Sequence, residues 1–157
     1  MRTSTYGLWR KLSSRPGGKR AFSAGVAMKA PYFRTITPLV HELEPGRCVA
    51  SAPKWWGVHN HIGTFHAIAA CNLAEFAMGM VAEATVPRSH RWIPKAMTVS
   101  YLAKATTGLR AEAVIDPEPD WPQLTEGTEI VVPVAIRDKA GSEVVHAEIT
   151  IWVTPAS

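Results

Sequence analysis

Apolar residues recur at helical spacing in one long central stretch. Ala69, Leu73, Phe76 and Met80 fall at i, i+4, i+7 and i+11 and make one stripe. The opposite side carries Ile68, Cys71, Asn72, Glu75, Gly79 and Ala82, with no run of Lys or Arg. Between His66 and Ala82 the only formal charge is Glu75. A helix that is apolar nearly all round is buried all round. The pattern therefore predicts a core helix over 64–84, ended before Pro87, with a second subunit as the obvious cover for the Glu75 face.

Around that helix the period changes to two. Strands are expected at 35–43 and 47–52, joined by Glu44-Pro45-Gly46, and at 97–106 and 109–115 across Thr107-Gly108. A hairpin is expected from 129–137 and 143–153, with Pro133 marking an edge position or a bulge. Before the first strand, residues 4–13 read as a short amphipathic helix with Ser4 as a possible cap. Leu8, Trp9 and Leu12 form its apolar side, and Pro16-Gly17-Gly18 stops it. A second short helix fits 20–29, and extended structure opens at Pro31-Tyr32. Two strands, one long helix and four strands make an α+β arrangement, with the helix on one face of an antiparallel sheet. Residues 1–32 form a helical extension and 33–157 the main domain.

Composition adds limits. With 157 residues, 46% hydrophobic and 19% charged, the chain suits one packed domain. It has no run of about 18 apolar residues, so no spanning helix is expected. Two cysteines make no disulfide framework. A reducing, cytoplasmic setting is the simpler expectation. Cys71, within the apolar helix, reads as packing. The net charge of +4 is uneven. The first 34 residues hold Arg2, Arg10, Lys11, Arg15, Lys19, Arg20, Lys29 and Arg34 and no acid, which leaves the remainder at −4. Three readings are open: contact with nucleic acid or anionic lipid, an organelle-targeting leader, or a structured extension lying near a polyanion such as coenzyme A. Nucleic acid ranks last, because the aromatic interleaving of single-strand binders is missing. No secretory signal fits.

The chemistry concentrates just before the helix, in Asn60-His61-Ile62-Gly63-Thr64-Phe65-His66-Ala67, followed by Leu73-Ala74-Glu75. A helix start offers unbonded N–H groups and a positive dipole end, which polarise a carbonyl. A nearby carboxylate supplies a base or a nucleophile. The combination suits acyl transfer. The plainer alternative is that Glu75 is a surface residue or a satisfied core pair. His59, His61 and His66 with Glu75 match no common metal spacing. Neither a nucleophile elbow nor a phosphate-binding glycine loop is present, and the apolar body of a helix would raise the Cys71 thiol pKa rather than lower it. Trp55 and Trp56 read as strand-end packing or as walls of an acyl pocket. Thr64 lies in the same turn as a substrate contact. Arg88, Arg91 and Lys95 read as solvated charges or as contacts to coenzyme A phosphates.

Asn60, Gly63, His66 and Glu75 stand at offsets of three, six and fifteen. This spacing, with the strand order around it, resembles the hotdog-fold acyl-CoA thioesterases, most of all the phenylacetate-pathway and hydroxybenzoyl-CoA thioesterases. The resemblance covers about residues 33–154. The extension, with Lys19, Phe22 and Ala30-Pro31-Tyr32-Phe33, resembles an uncharacterised branch. The resemblance implies an antiparallel sheet of five to six strands wrapped around one central helix. It implies a homodimer paired edge to edge, or a dimer of dimers, with active sites at the subunit interface near one protomer's helix N-terminus. Glu75 would be base or nucleophile towards an acyl-CoA or acyl-carrier thioester. Asn60 would orient water or hold the carbonyl, and the Ala67 N–H would polarise it. Gly63 would let the backbone turn closely, and His66 would shape the turn. No metal or organic cofactor is implied. His66-Ala67-Ile68 replaces the family's frequent His-Gly-Gly, which keeps the N–H but narrows the approach. That leaves room for a non-catalytic module binding acyl-CoA or fatty acid. Hydration or dehydration of a 2-enoyl thioester ranks lower.

Overall fold

A computed structural model of the chain describes residues 3–156, so Arg2 of the basic segment lies outside it. The elements are α1 (Ser4–Leu12), α2 (Gly18–Lys29), β1 (Leu39–Glu44), β2 (Arg47–Ala52), α3 (Ala67–Thr85), β3 (His90–Tyr101), β4 (Leu109–Val114), β5 (Thr128–Arg137) and β6 (Glu143–Pro155). The strands form one antiparallel sheet in the order β1-β2-β4-β5-β6-β3. It wraps around α3, which contacts all six strands.

Strand alternation builds the core. On β6, Val145, Ala147, Ile149, Ile151 and Val153 are buried, while His146, Glu148, Thr150 and Trp152 point outward. Leu73, Phe76 and Met78 of α3 close the core from the other side. Each large side chain of this kind stabilises by about 1.5–3 kcal/mol when fully buried. Phe33 meets Phe76 edge-on at 5.1 Å. Trp9 and Phe22 bring α1 and α2 into the same core cluster. By length and composition α3 alone among the described helices is apolar enough to cross a membrane, which the count of consecutive apolar residues did not anticipate. It serves as the buried core helix.

Several boundaries differ from the sequence reading. Residues 31–36 form a 3-10 turn rather than extended chain. Pro31 pre-sets φ for the first position of a helical turn, and the Thr35 hydroxyl donates to Tyr32 O at 2.8 Å. Strand β1 therefore begins at Leu39 rather than 35. The cap of α1 is Thr3 rather than Ser4. Its hydroxyl accepts from Tyr6 N–H at 3.3 Å and donates to Glu83 O at 2.5 Å, fastening α1 over α3. Strand β3 runs 90–101 instead of 97–106, straight through Pro94. Pro94 is tolerated because β3 is an edge strand and its register shifts between Pro94 and Ala96. Pro133 sits one residue beyond the β4–β5 ladder, which ends at Val134. On α3, Asn72 and Ala82 are buried rather than aligned with Glu75. The open strip is Ile68, Cys71, Glu75 and Gly79.

The two sheet edges are treated differently. Along β1, Val40 N–H donates to Ser23 Oγ at 2.9 Å and Lys19 Nζ donates to His41 O at 2.6 Å, so α2 covers that edge with side chains. Strand β3 is bare, with Ile93 62% and Tyr101 53% exposed.

Candidate active site

Asn60 builds the loop before α3. Its Oδ1 accepts from Ile62 N–H at 3.1 Å and Thr64 N–H at 3.0 Å, and its Nδ2 donates to Thr64 Oγ1 at 2.7 Å. Gly63 sits at φ 75, a left-handed conformation that disfavours a Cβ. The carboxamide keeps one hydrogen for a ligand. Phe65 N–H donates to Ala105 O at 2.8 Å and His66 N–H to Val58 O at 2.7 Å, which fixes the loop onto the body.

His66 is the N-cap of α3. Its Nδ1 accepts from Ile68 N–H at 3.1 Å. A ring nitrogen that accepts carries no proton, so the capping ring, if neutral, holds its proton on Nε2. Ala67 is the first helical residue, and its N–H finds no acceptor among the described residues. The helix start thus presents a free donor at its positive end.

Glu75 is exposed in the single chain and makes no hydrogen bond or ion pair among the described residues. It lines an apolar cavity of about 550 Å³. Phe76, Gly79 and Met80 of α3 line it, as does Trp92 of β3. The N-terminal extension supplies Leu8, Val26 and Phe33. Sequence reasoning missed these wall residues. The apolar side of α1 was visible, but not what it would face. At the other end of the open strip, Cys71 Sγ lies 3.3 Å from Tyr101 Oη. That contact, then burial, pushes the Tyr101 phenol up to about 12. Cys71 is half-buried rather than enclosed. Cys48 is the enclosed thiol, and burial pushes its pKa up, away from reactivity.

The structure does not bring every expected residue to this cavity. Trp55 and Trp56 are not among its walls, and Trp56 is 85% exposed. Asn60, Gly63, Thr64 and His66 gather in the loop. Arg88 follows the far end of α3, on the order of 28 Å from Ala67 along a helix of this length. Arg91 is exposed on β3, and Lys95 pairs with Glu129 and stands 5.0 Å over Trp152. Among the described residues no group of three His, Cys, Asp or Glu is placed to hold a metal.

One distance governs what the site can do. Ala67 and Glu75 are eight residues apart, so about 12 Å separates them along the axis. No single carbonyl touches both groups of one chain. The free edge of β3 and the open strip of α3 lie beside Glu75.

A six-stranded antiparallel sheet wrapped around one buried helix, with a polar loop at the helix start, is the hotdog fold, found in thioesterase-family proteins. The chain belongs to the family described as a domain of unknown function, DUF4442, whose model matches residues 18–153. It is similar to a structural-genomics target of known crystal structure, at 43% identity over 97% of this chain and 98% of that one, with a TM-score of 0.82. A Pseudomonas aeruginosa protein described as of unknown function and a probable thioesterase shares 23% identity over 88% and 94% of the two chains, TM-score 0.76. A thioesterase from Haemophilus influenzae shares 12% over 79% and 82%, TM-score 0.68. The last two likenesses are of fold. The comparison with curated proteins gives no match.

Proposed function

We propose that the chain hydrolyses acyl thioesters of coenzyme A or an acyl carrier, as a dimer paired through β3. The observation that carries this reading is Glu75, an unpaired carboxylate on the wall of an apolar cavity beside an open strand edge. The acyl group lies against Phe33, Phe76 and Trp92. The partner subunit's Ala67 N–H polarises the thioester carbonyl, which the 12 Å gap within one chain requires. Glu75 takes a proton from water as its oxygen attacks the carbonyl carbon, or attacks directly to form an anhydride that water then cleaves. The oxyanion collapses, the C–S bond breaks, and the thiolate leaves with a proton from solvent or from Glu75. Asn60 contributes by holding the loop in shape and by its one spare amide hydrogen. Arg91 and Lys95 stand on β3 outside the cavity wall, and as exposed cations they suit the phosphates of a carrier lying on the surface.

The test is thiol release from a panel of short, long and aromatic acyl-CoAs, with wild type and Glu75→Gln side by side. Glu75 has no partner to lose, so the variant keeps its fold and oligomeric state by sedimentation and circular dichroism. Turnover falls by about 10²–10⁴ if the carboxylate is the base. A folded variant with full turnover defeats the proposal. A second reading, a binder that does not hydrolyse, is favoured by Ile68, which stands 56% exposed beside the helix start and narrows the approach. Tight acyl-CoA binding with no thiol release would establish it.

A further inference from the structure

A second cavity, of about 920 Å³, opens on the other side of α2. Phe22 and Val26 of that helix face the Glu75 cavity, whereas Arg20, Ala24 and Met28 face this one. The opposing wall is the outer face of the sheet, where His41, Ser51 and Arg110 stand on β1, β2 and β4. Ala27, Leu39 and Leu109 give it an apolar lining.

Its charge is lopsided. Arg20, Arg34, Arg110 and Lys139 line it, against the single acid Asp138. Asp138 Oδ1 is occupied by the N–H groups of Ala140 and Ser142, at 2.9 and 3.0 Å. Arg110 reaches Glu42 at 3.3 Å, a carboxylate it shares with Arg47. Arg20, Arg34 and Lys139 make no ion pair among the described residues. His41 Nε2 lies 2.7 Å from Ser51 Oγ, and burial, then Arg110 and Lys19, hold its pKa below the usual value. Thr37, on the rim, is held at φ 44. A β-branched residue rarely adopts that conformation, and strain of this kind collects at ligand clamps.

Cations that converge without partners raise the local positive potential and favour an anion. An anion alone has no use for the apolar lining, and an apolar ligand has none for guanidinium groups. We propose that this cavity binds an amphiphile with an anionic head, carboxylate or phosphate, on an apolar chain. Its volume suits a ligand of that size. The site is separate from Glu75, and the proposal stands whether or not Glu75 hydrolyses thioesters.

The experiment is calorimetric titration of the full chain with dodecanoate, dodecyl phosphate, dodecanol and inorganic phosphate, below micelle concentrations. Wild type is compared with Arg34→Gln, Ala24→Trp and Glu75→Gln, each checked for folding by thermal melting. The expected result is one anionic amphiphile bound per chain. Arg34→Gln should weaken binding about tenfold or more, as loss of a charged contact does. Ala24→Trp, at an exposed helix position that fills the cavity, should abolish it, and Glu75→Gln should leave it unchanged. Whichever of dodecanoate and dodecyl phosphate binds more tightly identifies the head. Four results overturn the proposal: dodecanol binding as well as dodecanoate, inorganic phosphate binding as well as dodecyl phosphate, binding that ignores Arg34→Gln, or no binding at all. Loss of binding in Glu75→Gln overturns it too, since the ligand would then occupy the other cavity. If Ala24→Trp fails to fold, the Arg34→Gln comparison still decides.

Discussion

Replacing Ala67 by proline removes one hydrogen and tests the role given to the helix start. Proline has no N–H and a fixed φ, and it is well tolerated at the first position of a helix. Ala67 occupies that position, and its N–H has no acceptor to lose. The preceding residue must be extended, and His66 is, at φ −63 and ψ 136. Folding should therefore be unharmed. A compatible proline stabilises by about 0.4–1 kcal/mol through the unfolded chain. For a chain of this size that corresponds to a melting temperature higher by about 1–4 °C. Activity should move the other way. Loss of one oxyanion donor costs about 10²–10³ in turnover. The assay is thiol release at saturating acyl-CoA, with Ala67→Gly as the control that keeps the N–H and opens the approach. A folded Ala67→Pro enzyme with wild-type kcat would refute the oxyanion assignment. A variant that unfolds would refute the claim that this N–H is unbonded.

Ser23→Ala should cost about 1–3 kcal/mol in urea unfolding, because it leaves the buried Val40 N–H without an acceptor; a loss below about half a kcal/mol would show that this bond does not hold α2 to β1. Val26→Trp, which fills the Glu75 cavity from the extension, should shift the preferred acyl-CoA to a shorter chain, and an unchanged preference would remove the extension from the acyl site. Acid should act in two stages. His41 titrates below its ordinary 6.5 in the folded chain, so stability is complete above pH 6.5 and declines as pH falls towards the folded value. Glu42 is held below its ordinary 4.5 by Arg47, so its contribution is present above pH 4.5 and lost at lower pH. His41→Gln should flatten the first stage only, read from unfolding free energy between pH 7.5 and 5.5.

Much of the fold was legible because its signals are local. Residues 109–115 alternate cleanly and β4 lies there within a residue, while the apolar runs 47–52 and 129–137, bounded by turn residues, hold β2 and β5 within a residue. The long apolar helix announced itself by composition, and the loop spacing from Asn60 to Glu75 placed the candidate chemistry. What stayed hidden depends on contacts distant in sequence. Strand β3 was expected at 97–106 and lies at 90–101, and only its place at the sheet edge makes Pro94 within it harmless. Residues 31–36 looked extended, yet Phe33 is fixed by packing on Phe76, far along the chain. The extension read as two short helices rich in positive charge. Its positive charges were plain, but nothing local showed that α2 would stand between two cavities and divide them.

The side-chain cover on β1 sets how many neighbours the sheet can take. A bare sheet has two edges, and an object with two such faces can be joined end to end without limit. Here Ser23 and Lys19 occupy backbone groups that a neighbouring strand would need. The sheet therefore has a valence of one. In the dimer proposed above, pairing through β3 would use up that edge and close a twofold pair rather than start a filament. In that light the N-terminal extension is a cap on one edge of the sheet, and in the proposed dimer it would make the assembly self-limiting.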